Sequence, residues 1–329
     1  MRSRSRISMK WLKRGPGAWG AWLLMKGYEA FLRIIPLSRV APTGRCLGRI
    51  LYRFMGSRRR IAFGNMHLAF GSAVAPARKK EILSNLMENL GLTLGELGRP
   101  DYLRKTPLAR YVAVQGRSYL DAALAGGAGA VLVTAHFGNF PLMLVKLALE
   151  GYKVGVIIRD PRHRPMARFL ERWRSTFGLI SLRDKPRWAS VKDALTHLKG
   201  NGVLVMHIDL NVSRGGDFVP FFGHWVPTFR GPAMLSLRSG APALPVFIRR
   251  LHGLHHRIVI RPPVTIARTK DREEDIWRLL FHLTRITEET IRRYPQEWWW
   301  MHRRFRKERP AAEVGRSIPH EDRPATADL

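Results

Sequence analysis

Apolar positions along the chain follow two rhythms. Five short runs are apolar almost without interruption: Ala130–Ala135 (AVLVTA), Lys153–Ile158 (KVGVII), Gly202–Ile208 (GVLVMHI), Ala243–Ile248 (ALPVFI) and Arg257–Ile260 (RIVI). Between them, Leu142–Leu149, Pro165–Phe177, Trp188–Lys199 and Pro232–Ser239 carry helical patterns. Strand-length runs that are apolar on both faces, separated by helices, predict an α/β fold. Its central sheet is mostly parallel and covered by helices on both faces. Asp275–Arg293 predicts one long amphipathic helix, with Ile276, Leu279, Leu280, Leu283 and Ile286 on one side. Upstream of the first strand, Arg58-Arg59-Arg60 leads into a helical stretch that runs to about Leu97.

Two stretches test whether the chain spans a membrane. Gly15–Met25 is apolar but is soon interrupted by Lys26, Glu29 and Arg33, and falls short of the roughly 20 residues a spanning helix needs. Trp11, Trp19, Trp22 and Tyr28 are residues that settle at headgroup depth, and Arg2, Arg4, Arg6, Lys10, Lys13 and Arg14 suit anionic lipid. This predicts an N-terminal membrane-interfacial helical segment. Ala122–Val145 has no formal charge with His136 neutral, but Gly126, Gly127, Gly129, Gly138, Asn139 and Pro141 divide it. It reads as helix end, buried strand, loop and helix start.

Composition sharpens the partner question. The 329 residues carry a formal charge of +32, are 45% hydrophobic and include a single cysteine, Cys46. Wholesale disorder is excluded by the apolar content. An internal disulfide is excluded by the lone cysteine, which fits a reducing compartment. The charge calls for a polyanionic partner: nucleic acid, an anionic membrane face or an acidic protein. Pro310–Leu329 is polar and Pro-rich and reads as a disordered tail.

The chemistry gathers at strand ends, where open α/β sheets bind ligands. In VLVTAHFGNFP (Val131–Pro141) a strand runs into His136, a residue suited to general-base work near neutral pH. Gly138 there would let backbone N–H groups approach a substrate oxygen, and Asn139 follows it toward the helix. In GVLVMHIDLNVSRGGDFVP the strand ends at Asp209, ahead of a loop with Arg214. If the two strands are neighbours, Asp209 can orient the His136 ring. Arg159, at the end of a third strand, can grip a phosphate or an oxyanion, and the other arginines of the following helix read mostly as a solvated face. Phe221, Phe222 and Gly223 follow the Gly-rich loop and are expected to line an acyl channel. His252, His255 and His256 lie in a short turn between two strands, where helical ligand spacing does not apply, so no metal site is expected. The absence of a P-loop and of GxGxxG removes support for nucleotide binding.

These segments in order resemble the late lipid A acyltransferases of the lysophospholipid acyltransferase superfamily. The resemblance rests on AHFGNF, the Arg159 strand, the strand into Asp209, FVPFFG, GPAMLSLRSGAPALPVFIRR, YPQEWWWMHRRF and RRRIAFGNMHLAF (Arg58–Phe70), and spans roughly Met9 to Arg309. It implies acyl transfer from a thioester donor, acyl carrier protein or acyl-CoA, to a hydroxyl of a lipid, foremost a lipid A precursor. It needs no cofactor and implies the cytoplasmic face of a bacterial inner membrane, with anionic lipid as a partner. The expected division is a membrane-associating segment 1–57, an acyltransferase domain 58–309 and a tail 310–329. A glycerolipid or other glycolipid acceptor is the alternative. The chain departs from the family where a Glu or Asp five residues after the His is replaced by Pro141. Either Asp209 supplies the carboxylate, or His136 works alone, or the chain is a silent membrane-binding homologue; the first is the reading adopted. Nucleic acid is not expected as a partner. Only YPQEWWWMHRRFRKERP joins aromatic and basic residues as such a surface would, and the resemblance explains that stretch better.

Overall fold

The computed structural model describes residues 16–99, 103, 108–159, 164–184, 186–212 and 216–309. The N-terminal basic block, Arg214 and the expected tail lie outside the described residues. A seven-stranded sheet forms the centre. Its strands are β1 (Val112–Gln115), β2 (Ala130–Thr134), β3 (Val154–Ile158), β4 (Ile180–Arg183), β5 (Val203–His207), β8 (Ala243–His252) and β9 (His255–Ile260), in the order β1-β9-β8-β2-β5-β3-β4. Every neighbouring pair is parallel except the β8–β9 hairpin. A separate antiparallel hairpin, β6 (Gly216–Phe221) and β7 (His224–Phe229), lies beside it. The fold class is the expected one: α/β with a mostly parallel sheet. Three features exceed the expectation: β1, β4 and the β6–β7 hairpin.

Helices cover both faces because the strands alternate their side chains between two apolar surfaces. Leu132, Val203, Val205, Leu244, Val246 and Ile248 face one core, against α5 (Arg117–Ala125) and α6 (Phe140–Leu149). Val131, Val133, Leu204, Met206 and Ala243 face the other, against α8 (Arg187–Lys199), α9 (Gly231–Ser239) and α10 (Arg272–Arg293). The helix α10 starts three residues before the sequence pattern does. Asp271 caps it by accepting from the N–H groups of Glu273 and Glu274, at 2.8 and 3.2 Å. Acids fill its first turn and Arg292 and Arg293 its last, each sign matched to the helix dipole. One further helix, α7 (Arg164–Thr176), follows β3. Its Arg174 is not solvated but buried, held by Ser181 and Glu171.

Four helices precede the sheet: α1 (Pro16–Ile34), α2 (Leu37–Phe54), α3 (Gly56–Phe70) and α4 (Pro76–Leu97). The helices α2 and α4 cross so closely that a Cβ on Gly91 would lie 2.0 Å from the Gly44 carbonyl oxygen. On α1 and α2 the large apolar side chains Leu23, Leu24, Ile34, Ile50 and Phe54 face solvent, Ile34 at 83% exposure. Isolated apolar residues on a surface need no explanation, but a run of them on two adjacent helices does. Trp22 of α1 makes an edge contact with Phe169 of α7, at 5.7 Å between ring centroids. Among the described residues no helix is long and apolar enough to cross a membrane.

Candidate active site

β2 and β5 are direct neighbours, which brings their carboxyl ends together. His136 follows β2 and Asp209 follows β5. His136 Nδ1 lies 2.9 Å from Asp209 Oδ1, and the backbone N–H of His136 donates to Asp209 Oδ2 at 2.8 Å. Trp298 Nε1 donates to the same Oδ2 at 2.9 Å. The Asp209 side chain is completely buried, while that of His136 is 28% exposed. Burial alone would push the Asp209 carboxyl pKa up; the His136 charge and its ring hydrogen bond, with His302 and His207 adding to them, outweigh it and hold the pKa well below the usual carboxylate range. Burial likewise opposes charge on His136, and Asp209 outweighs it, so the imidazole pKa is raised above its ordinary 6.5. With Nδ1 committed to the carboxylate, Nε2 is the ring nitrogen that can take a proton.

The segment after α10 completes this arrangement. Gly138 N–H donates to the Glu297 carbonyl at 2.8 Å, Phe137 and Trp298 form an isolated antiparallel bridge, and Trp299 N–H donates to the His136 carbonyl at 3.0 Å. His302 packs behind, its two ring nitrogens each 2.8 Å from a carbonyl oxygen, those of Trp299 and Asp209. Trp298 and Trp300 are fully buried and so provide no stacking platform for bases.

An apolar cavity of about 660 Å³ opens at His136. Its walls include Phe140, Leu144, Val156, Phe169, Leu170 and Trp173, contributed by α6, β3 and α7. This is within the roughly 300–1,000 Å³ of ligand pockets. Arg159 also lines it, 75% exposed and donating from Nε to Asp184 at 2.6 Å. His207 lies two residues before Asp209, with its ring 4.5 Å from that of His136. Its Nε2 is buried without a partner among the described residues. Burial first, then the neighbouring His136 charge, push its pKa down to about 3, so this second imidazole stays neutral.

Several expectations are corrected by packing. Phe221 and Phe222 do not line the cavity; they pack with Phe70, Trp298, Trp300 and Phe305 in a third core. Phe222 and Gly223 form the two-residue turn of the β6–β7 hairpin, with φ of +53° and +79°. That left-handed turn suits a hairpin's twist. Asn139 does not line the cavity: its side chain is buried, caps α6 by accepting from Leu142 N–H at 3.1 Å, and donates to Glu96 at 2.6 Å. The Gly138 N–H is taken by Glu297, so it is not an oxyanion donor. A Cβ at Gly138 would lie 2.0 Å from the Ile248 carbonyl, and the residue's φ is +55°. Pro141 is the second residue of α6, a first-turn position that needs no N–H donor. Of the three turn histidines, His256 points inward to Glu96 while His252 and His255 stack on each other. Among the described residues no group of three ligand-type side chains could hold a metal ion.

A histidine oriented by a buried carboxylate, at the strand ends of an α/β sheet and beside an apolar cavity, suits group transfer or hydrolysis on an apolar chain. The comparisons narrow this. The family model for bacterial lipid A biosynthesis acyltransferases matches residues 7–307, and the chain belongs to that family. It is 27% identical over 302 residues to the lipid A biosynthesis lauroyltransferase of Escherichia coli K12, covering 90% of this chain and 94% of that one. It is 28% identical over 279 residues to the lipid A biosynthesis palmitoleoyltransferase of the same organism, covering 82% and 85%. Over 166 residues it is 30% identical to the phosphatidylinositol mannoside acyltransferase of Mycobacterium tuberculosis H37Rv, covering 48% and 51%. The protein is a lipid acyltransferase.

Proposed function

We propose that the chain moves a fatty acyl group from a thioester donor, acyl carrier protein or acyl-CoA, to a hydroxyl of a lipid A precursor. The observation that carries this reading is the His136–Asp209 pair at the mouth of an apolar cavity of about 660 Å³. Asp209 accepts a hydrogen bond from the Nδ1–H of His136, stays ionised and fixes the tautomer. His136 Nε2 then takes the proton of the acceptor hydroxyl as its oxygen attacks the thioester carbonyl carbon. A tetrahedral intermediate forms, its C–S bond breaks, and the departing thiolate takes the proton from His136. The acyl chain lies against Phe140, Phe169 and Trp173. Arg159 is the first choice for holding the oxyanion or an acceptor phosphate, being cationic and exposed at the cavity mouth. Asp209 thereby does the orienting work for which position 141 offers only a proline.

The exposed apolar side chains of α1 and α2 support a seat on the cytoplasmic face of a bacterial inner membrane, with anionic lipid meeting the basic residues. In this reading residues 1–57 associate with the membrane, residues 58–309 carry the chemistry and 310–329 are a polar tail. The test is acyl incorporation by the purified full chain, with acyl carrier protein and CoA thioesters as donors and a lipid A precursor or a lysophospholipid as acceptor. Incorporation into the lipid A precursor that is lost in His136→Ala is the expected result. Incorporation into the lysophospholipid alone redirects the acceptor. No incorporation with any pair supports the silent-homologue reading.

A further inference from the structure

A second cavity, of about 320 Å³, lies where the C-terminal end of α10 crosses β8 and β9. Its lining includes four arginines, Arg249, Arg257, Arg261 and Arg293, together with Phe137 and Tyr294, and no carboxylate. Phe247 and Arg249 alternate along β8 with Val246 and Ile248, which face the α6 core, so this cavity opens on the other face of the sheet.

The arrangement is costly unless something anionic shares it. Arg249 and Arg257 are direct cross-strand partners in the antiparallel ladder. Like charges in that position destabilise a sheet, and most strand pairs avoid them. Tyr294 brings two guanidiniums together instead of separating them: Arg249 lies 4.8 Å and Arg293 5.5 Å from its ring centroid. Arg261 reaches one acid, the exposed Glu289, at 3.6 Å. Arg249, Arg257 and Arg293 form no ion pair among the described residues. Glu297 is not part of the lining; its charge acts first with Arg250 and only then with Arg249, and burial pushes its own pKa up to about 7.

From this clustering we propose that the cavity binds a phosphate group, presented either by a membrane phospholipid headgroup or by a phosphorylated sugar or glycerol. Guanidinium forks match phosphate oxygens in pairs, and several around one hollow accept a doubly charged oxyanion better than a single acid side chain. Concavity and small size favour a headgroup over the face of an acidic protein, which would need about 800 Å² of buried surface on each partner. The apolar wall of Phe137, Phe247 and the Tyr294 ring leaves room for the carbon skeleton that carries the phosphate. Phe137 is the residue after His136, so an occupied cavity would press on the loop that holds the base. The site stands apart from the acyl cavity, and its test needs no turnover.

The test uses the full chain in a neutral detergent at constant ionic strength. Thermal stabilisation is measured against glucosamine 6-phosphate, glycerol 3-phosphate and polyglutamate, and co-flotation against phosphatidylglycerol–phosphatidylcholine vesicles and pure phosphatidylcholine vesicles. The expected result is saturable binding in a phosphate-bearing arm that is weakened at least tenfold in Arg257→Gln and in Arg249→Gln. Arg238→Gln, on the exposed side of α9 and away from both cavities, should leave it unchanged. Stabilisation by the soluble esters points to a phosphorylated sugar or glycerol; flotation on phosphatidylglycerol alone points to a lipid headgroup. Without ligand, Arg257→Gln should melt no lower than wild type, since it relieves a like-charge pair. Binding of polyglutamate alone, binding insensitive to both cavity variants, or binding weakened as much in Arg238→Gln overturns the proposal.

Discussion

Two buried carboxylates in this molecule each hold a histidine at 2.9 Å, Asp209 with His136 and Glu96 with His256. Pair distance therefore says nothing about which one does chemistry. The difference lies in the rest of each shell. Glu96 is also gripped by Arg250 at 2.7 and 2.9 Å and by Asn139 at 2.6 Å. His256 is fully buried, and its Nδ1 meets neither solvent nor partner among the described residues. Burial pushes the His256 pKa down, with Glu96 only partly offsetting it, whereas for His136 the carboxylate wins. Glu96 is held at a pKa of about 2: burial opposes its charge, and His256 and Arg250 together overcome that. Such a sealed ion cluster ties α4, the α6 cap and β8 together. The open pair has one imidazole nitrogen free at a cavity. Access to that nitrogen is what sets the proposed catalytic pair apart.

The comparison can be broken by swapping the deletions. His136→Ala should lower kcat/KM by about 10²–10⁴-fold while leaving the urea unfolding curve close to wild type. The matching His256→Ala should do the reverse, costing about 1–3 kcal/mol of stability with turnover nearly kept. Loss of turnover in a folded His256→Ala protein would break the distinction. Arg250→Ala should cost about 3–5 kcal/mol in urea unfolding, because it leaves Glu96 as a buried charge short of its main partner.

A finer test concerns the sign of the pH response. His136 must be unprotonated to act, so wild-type kcat/KM should rise with pH through a midpoint above 6.5, the direction in which Asp209 moves it. Asp209→Asn should lower activity by about 10²-fold or more and carry that midpoint downward, since burial then acts on the ring unopposed. An unchanged midpoint would show that Asp209 does not govern the ring. The smallest effect belongs to a third buried acid, Glu297, whose carboxyl pKa burial raises from 4.5 to about 7. The folded state then binds more protons than the unfolded chain, so this contribution is fully present below about 4.5 and is lost as pH rises through about 7. Melting temperature against pH should be flatter over that window in Glu297→Gln than in wild type.

Much of this was legible in the residues, for physical reasons. Both-face-buried strands announce themselves as unbroken apolar runs, and His136 and Asp209 stand where such runs stop. β1 and β4 escaped because they are edge strands of four residues, VAVQ and ISLR, too short and too mixed to show a period. The β6–β7 hairpin was hidden by Pro220 and Pro227 and by a turn made of Phe222-Gly223 instead of Asn-Gly. His207 had a usable signal, since residues two apart on a strand share a face and 207 and 209 end the same one. Trp298 and His302 had none: their contact with Asp209 crosses about ninety residues of chain, and no local pattern encodes it. The same holds for the Gly138 N–H, which looks available until the partner from Glu297 arrives.

That late partner has a consequence for how the protein is made. A nascent chain emerges from its N-terminal end, and domains begin to fold as they appear. β2, His136 and even Asp209 can be in place well before residues 297–302 leave the ribosome. Until those residues arrive, the histidine loop lacks its antiparallel neighbour and Asp209 lacks the Trp298 donor. The proposed base is therefore held in its final geometry nearly last. A partly synthesised chain would have the walls of its apolar cavity before the histidine beside it was fully held.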